Sequence, residues 1–85
     1  MGKYQHGKIY FISNDIDQLI YVGSTITSLN RRFASHKSAS KLHPNIKLYK
    51  HFAKLGVEHF KIKLIKNYPC ADRTALDIEE EMIKI

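Results

Sequence analysis

Tyr10, Tyr21, Arg32, His36 and Glu79 are side-chain types that together could hydrolyse a phosphodiester. Cutting such a bond needs an activated water, neutralisation of the charge that builds on the phosphate, and help for the leaving oxygen. A divalent cation stabilises that charge as a Lewis acid and lowers the pKa of a bound water. Mg²⁺ prefers oxygen ligands and often takes only one or two protein carboxylates, so one glutamate is sufficient. Arginine offers a planar, permanently charged fork matched to phosphate oxygens. A tyrosine can orient water or relay a proton if its own pKa is lowered, and histidine can assist by the same route.

The elements that would position these groups follow from periodicity. Residues 7–13 alternate with period two, Ile9 and Phe11 pointing one way and Lys8, Tyr10 and Ile12 the other. Residues 14–18 are a polar turn, and 19–24 form a second strand with Ile20 and Val22 on one face and Leu19, Tyr21 and Gly23 on the other. A short turn between two such runs predicts an antiparallel hairpin. If Ile9/Phe11 and Ile20/Val22 share a core face, Tyr10 and Tyr21 share the opposite one, subject to the register. Thr27 or Ser28 can cap a helix starting near Leu29. Leu29 and Phe33 define its apolar direction, with His36 close to that direction, Arg32 on its flank and Arg31 nearly opposite.

Residues 38–43 read as a polar loop, and Pro44 suits the first turn of a second helix over 44–55. Its Ile46, Leu48, Tyr49, Phe52, Ala53 and Leu55 form a broad apolar stripe, and Gly56 is the expected stop. Residues 60–64 alternate as a third strand that extends to Lys66. Asp72 can cap a last helix from Arg73 to the end, with Ala75, Leu76, Ile78, Met82, Ile83 and Ile85 as its apolar face. Glu79 projects near the middle of that face, whereas Glu80 and Glu81 fall outside it. A carboxylate in an apolar stripe is costly unless paired, hydrogen-bonded or metal-bound, so Glu79 is the glutamate that needs a reason. The order β-β-α-α-β-α predicts an α/β (α+β) fold, a small three-stranded mixed or antiparallel sheet flanked by three helices.

Size and charge bound the possibilities. Eighty-five residues make one domain over 1–85, 44% hydrophobic and 26% charged, an ordinary globular composition. No apolar run is long enough to cross a membrane, and the N-terminus lacks a signal-peptide core. Cys70 is the lone cysteine, and the five histidines show no zinc-type pairing; the setting expected is intracellular. The net charge of +6 is uneven, because residues 1–71 hold twelve Lys/Arg against three Asp/Glu, and 72–85 hold two against five. A basic body of this kind attracts polyanions such as DNA.

Lys8-Ile9-Tyr10, Tyr21-Val22-Gly23, Arg32 followed by Phe33 and His36, and a helical Glu79 together resemble the GIY-YIG nuclease domain, over essentially the whole chain. Lys8 replaces the glycine of the first tripeptide, and Val22 the isoleucine of the second. The resemblance implies a metal-dependent DNA endonuclease. Tyr10 and Tyr21 match the active-site tyrosines, Gly23 the motif glycine and Arg32 the helical arginine. His36 matches a position that holds histidine or tyrosine, and Glu79, in a Glu-x-x-Met-Ile context, the metal-binding glutamate. In that reading Glu79 holds one Mg²⁺ or Mn²⁺, Arg32 engages the scissile phosphate, Tyr10 is the first choice of general base ahead of Tyr21, and His36 is secondary. Family members usually continue to an asparagine in a further motif and join a separate DNA-recognition domain. This sequence ends at Ile85, so the domain is either minimal or cut short.

Plainer readings stand beside this one. Strand tyrosines usually pack with a hydrogen-bonded hydroxyl, a helix arginine is usually solvated, and a histidine near an apolar direction is usually a satisfied core residue. A non-catalytic nucleic-acid-binding module accounts for the charge, Arg32 and the lysines, but not for Glu79 or the paired tyrosines. A purely structural interaction domain predicts neither cleavage nor salt-sensitive DNA binding.

Overall fold

The structure, a computed structural model, describes residues 3–84. A short 3-10 turn at Lys3–His6 leads into strand β1 (Lys8–Asn14), strand β2 (Tyr21–Thr25), helix α1 (Leu29–Leu42) and helix α2 (Lys47–Leu55). A second 3-10 turn (Val57–His59) precedes strand β3 (Phe60–Asn67), and helix α3 (Arg73–Lys84) ends the described chain. The sheet order is β2-β1-β3 and both pairings are antiparallel. The fold is therefore α+β with the β-β-α-α-β-α order expected, and the sheet is antiparallel throughout.

Because β1 is central, apolar side chains on both of its faces are covered. Tyr10 and Ile12 join Leu48, Tyr49 and Phe52 of α2 and Phe60 in the main core, with Tyr21, Leu29 and Phe33 against it. Ile9, on the opposite face by alternation, is fully buried, as is Leu76 of α3, which packs against β2 and β1. The register pairs Tyr10 with Gly23 and Ile12 with Tyr21, so Tyr10 and Tyr21 do lie on one face. That face carries the main core, and Ile20 is neither in the strand nor buried. A bulge interrupts the β1–β3 ladder between Ile9 and Tyr10, leaving Ile65 as the extra residue.

Local chemistry explains where boundaries moved. The second strand starts at Tyr21 because Asn14 and Asp17 hold the preceding turn. Asn14 Oδ1 accepts from the amides of Ile16 and Asp17, at 2.8 and 2.7 Å, and Asp17 Oδ1 accepts from Leu19, at 3.0 Å. The segment 38–43, expected as a loop, instead continues α1 to Leu42. Its hydroxyls do not break the helix, since Ser40 Oγ donates back to the Lys37 carbonyl at 2.7 Å. Helix α2 correspondingly begins at Lys47, with Ile46 as an N-cap that offers no side-chain acceptor and Pro44 in the turn before it. Ser28 caps α1 by accepting from Arg31 N–H at 3.2 Å, and Asp72 caps α3 by accepting from Ala75 N–H at 3.0 Å. Gly56 ends α2 at φ 97°, a conformation that costs any residue with a Cβ about 1 kcal/mol or more.

Helix α3 is turned relative to the face expected from its apolar residues. Ile78 and Met82 are 57% and 63% exposed, while Leu76 is fully buried. The inward line runs from Leu76 toward Glu79, Glu80 and Ile83, so the packed direction lies to one side of the exposed Ile78 and Met82. Ile85, counted in that pattern, lies outside the described residues.

Candidate active site

Tyr10 is the hub of the site. Its side chain is fully buried on β1, yet its hydroxyl meets two polar groups from α1. Arg32 donates from Nε to Tyr10 Oη at 3.2 Å, and His36 Nε2 lies 2.8 Å from the same oxygen. Arg32 and His36 are four residues apart, one helical turn, which lets one face of α1 supply both. Across the hairpin, Gly23 lies beneath the phenol. A Cβ there would stand 2.5 Å from Tyr10 Oη and 2.6 Å from its Cζ, closer than packed atoms approach. The glycine is what lets the tyrosine reach the helix.

His36 sits among three tyrosines. The ring of Tyr21 stands edge-on to the imidazole at 5.8 Å, and Tyr49 of α2 places its hydroxyl 2.9 Å from His36 Nδ1. By spacing alone, Tyr49 is only one more member of the apolar stripe. The signal that could have found it is its own hydroxyl, which in a buried stripe requires a partner.

The two neighbouring glutamates of α3 part company. Glu79 forms an ion pair with Lys66 of β3 at 2.7 Å. Glu80 accepts a hydrogen bond from Ser24 Oγ at 2.6 Å and pairs with Lys84 at 2.8 Å. Ser24 adjoins Gly23, and the Glu80 carboxylate contributes to raising the Tyr10 pKa. Thus Tyr10, Tyr21, Gly23, Arg32 and His36 come together, while Glu79 meets Lys66 of β3 and Glu80 meets Ser24 of β2. Glu79 and Glu80 stand three and four residues after the anchoring Leu76, so helical spacing puts both on its side.

Burial shapes the protonation states. His36 is lowered from 6.5 to about 4, by desolvation first and by Arg32 second, so it is neutral near pH 7. Tyr10 is raised, because desolvation outweighs the hydrogen bond and charge of Arg32. Arg32 itself is raised: burial alone would lower it, but the Tyr10 hydroxyl and the surrounding tyrosines prevail. The resting site therefore holds a neutral phenol, a neutral imidazole and a guanidinium.

Among the described residues, no three His, Cys, Asp or Glu side chains gather as a metal cluster. Glu80, with the Ser24 hydroxyl beside it, offers the oxygen-only donors that Mg²⁺ or Mn²⁺ takes.

Comparison with known proteins agrees with this arrangement. The family profile of the GIY-YIG catalytic domain matches residues 6–84. A protein described as MSV199 domain-containing, 146R of Invertebrate iridescent virus 6, is 42% identical over 60 residues, covering 71% of this chain and 24% of that protein. An uncharacterized protein of the same virus, 019R, is 37% identical over 60 residues, covering 71% of this chain and 22% of its own length. The chain thus spans about a quarter of the length of the curated relatives it matches. No solved structure matches it. With the family profile covering nearly all of the sequence, the chain belongs to the GIY-YIG catalytic domain family of nucleases.

Proposed function

We propose that this chain is a divalent-metal-dependent DNA endonuclease domain with Tyr10, Arg32, His36 and Glu80 as its working groups. The observation that carries the reading is the contact of Arg32 and His36 with one buried tyrosine hydroxyl, with the Glu80 carboxylate on Ser24, the neighbour of Gly23. Glu80 is the proposed ligand ahead of Glu79 on one contact: each pairs with a lysine, but Glu80 also accepts from Ser24, the neighbour of Gly23. Mg²⁺ or Mn²⁺, when bound, neutralises charge on the phosphate. Arg32 commits Nε to Tyr10 and presents its remaining donors to phosphate oxygens. Tyr10 accepts a proton from the attacking water as it passes its own to the neutral Nε2 of His36, so it relays without first becoming tyrosinate. Tyr21 shields the imidazole and narrows the entrance. In this reading residues 1–85 act as one catalytic domain, within the cell, on DNA selected by a separate recognition domain.

A second reading, a binding module without catalysis, is favoured by the exposed lysines of α2 alone. Incubating supercoiled plasmid with the protein, with Mg²⁺ or with EDTA, separates the two. Nicking that requires the cation and is lost in Tyr10→Phe supports the nuclease. Salt-sensitive binding with no nicking under either condition leaves only the module.

A further inference from the structure

We infer that Tyr49 is a positioning residue, whose hydroxyl accepts from His36 Nδ1–H and so keeps Nε2 bare to receive the Tyr10 proton. The inference rests on the proposed nuclease reading for its catalytic consequence, but its structural half stands on the hydrogen-bond chain alone. Arg32 can only donate, and it donates to Tyr10 Oη. With that contact filling an acceptor site, the Tyr10 O–H is directed to its other close partner, His36 Nε2, at 2.8 Å. A neutral imidazole that accepts at Nε2 must carry its hydrogen on Nδ1. The atom facing Nδ1 is Tyr49 Oη, at 2.9 Å. The order of donors thus runs from Arg32 through Tyr10 and His36 to Tyr49. It would reverse at the imidazole if His36 held the other tautomer, and Tyr10 would then have no base to give its proton to.

Packing does not require this hydroxyl. Tyr49 is buried on α2 beside Phe52, ring centroids 5.8 Å apart, in a cluster that also contains Phe60. Phenylalanine would fill the same volume. A hydroxyl in such a place costs desolvation unless it is bonded, and the bond it makes is to the one ring whose tautomer matters.

Nitrogen-15 NMR of the histidine ring reads the tautomer directly in the free protein, without any nuclease assay. The native protein is expected to show the Nδ1–H form of His36, with a slowly exchanging Nδ1 proton close to the Tyr49 ring protons. In Tyr49→Phe the ring should shift toward the Nε2–H form, and single-turnover cleavage should fall roughly 10–100-fold with DNA affinity unchanged. An Nε2–H form in the native protein overturns the inference even if Tyr49→Phe fails to fold. So does an unaltered tautomer in folded Tyr49→Phe, or an altered tautomer with undiminished cleavage. If the native protein shows the Nδ1–H form but cuts no DNA, the nuclease reading and the catalytic role fail together, and the hydrogen-bond order remains.

Discussion

Tyr10 carries a hydroxyl at a position where the core would accept phenylalanine, and both Arg32 and His36 contact that oxygen. The same burial that makes the contacts strong fixes His36 as a neutral base. This has a consequence for stability. The pKa of His36 is about 4 in the folded protein against an ordinary 6.5, so between those values the unfolded chain binds more protons than the folded one. Stability from this group is fully present above pH 6.5 and is lost as pH falls toward 4, by about 3 kcal/mol at most. Urea denaturation at about pH 7 and about pH 5 should show the loss in the native protein, and His36→Gln should lose less over the same interval. The tyrosines and Arg32 were legible in the sequence because strand alternation and helical spacing are local rules. Tyr49 was not, since a buried tyrosine in an apolar stripe looks the same whether or not its hydroxyl has a task.

At the scale of elements, α1 delivers the guanidinium and the imidazole, β1 and β2 deliver the tyrosines, and α3 delivers a carboxylate. The position of α3 depends on Leu76, buried completely against the sheet. Leu76→Ala should cost about 2–5 kcal/mol and loosen Glu80 from Ser24. Thermal denaturation checks the first effect. The second is a loss of cleavage at temperatures where the variant is still folded. The limit of sequence reasoning is clearest in this helix. Amphipathic projection weights every apolar residue equally, but Ile78 and Met82 face solvent, while Glu79 and Glu80 are equally covered, each side chain 16% exposed. Which partner each glutamate meets, Lys66 or Ser24, is decided by how α3 docks on the sheet, a tertiary contact that periodicity does not encode. Helix α1 ran past its expected end for a related reason: serines weaken a helix only slightly, and tertiary contacts and back-bonding suffice to carry it to Leu42.

Viewed as a whole, the molecule is a cation with a directional surface. Lys47, Lys50 and Lys54 of α2 line a groove of about 460 Å³ that also reaches Tyr21, Leu19 and Ile20. The carboxylate lining it, Asp17, is paired with His51 at 2.8 Å. Tyr21 belongs both to this groove and to the surroundings of His36. Replacing all three lysines with glutamine should weaken DNA binding uniformly across sequences. It should also flatten the salt dependence by about one unit of log–log slope for each phosphate no longer neutralised. Binding measured over a salt series tests this, and an unchanged slope would put the DNA on another face. The site as a whole is tested most directly by Mg²⁺-dependent nicking of plasmid DNA, with Glu80→Gln and Glu79→Gln measured side by side. Glu80→Gln should lose roughly 100-fold or more in rate while remaining folded, and Glu79→Gln should stay within a few-fold of the native protein. Undiminished nicking by Glu80→Gln, with activity lost in Glu79→Gln, would contradict it.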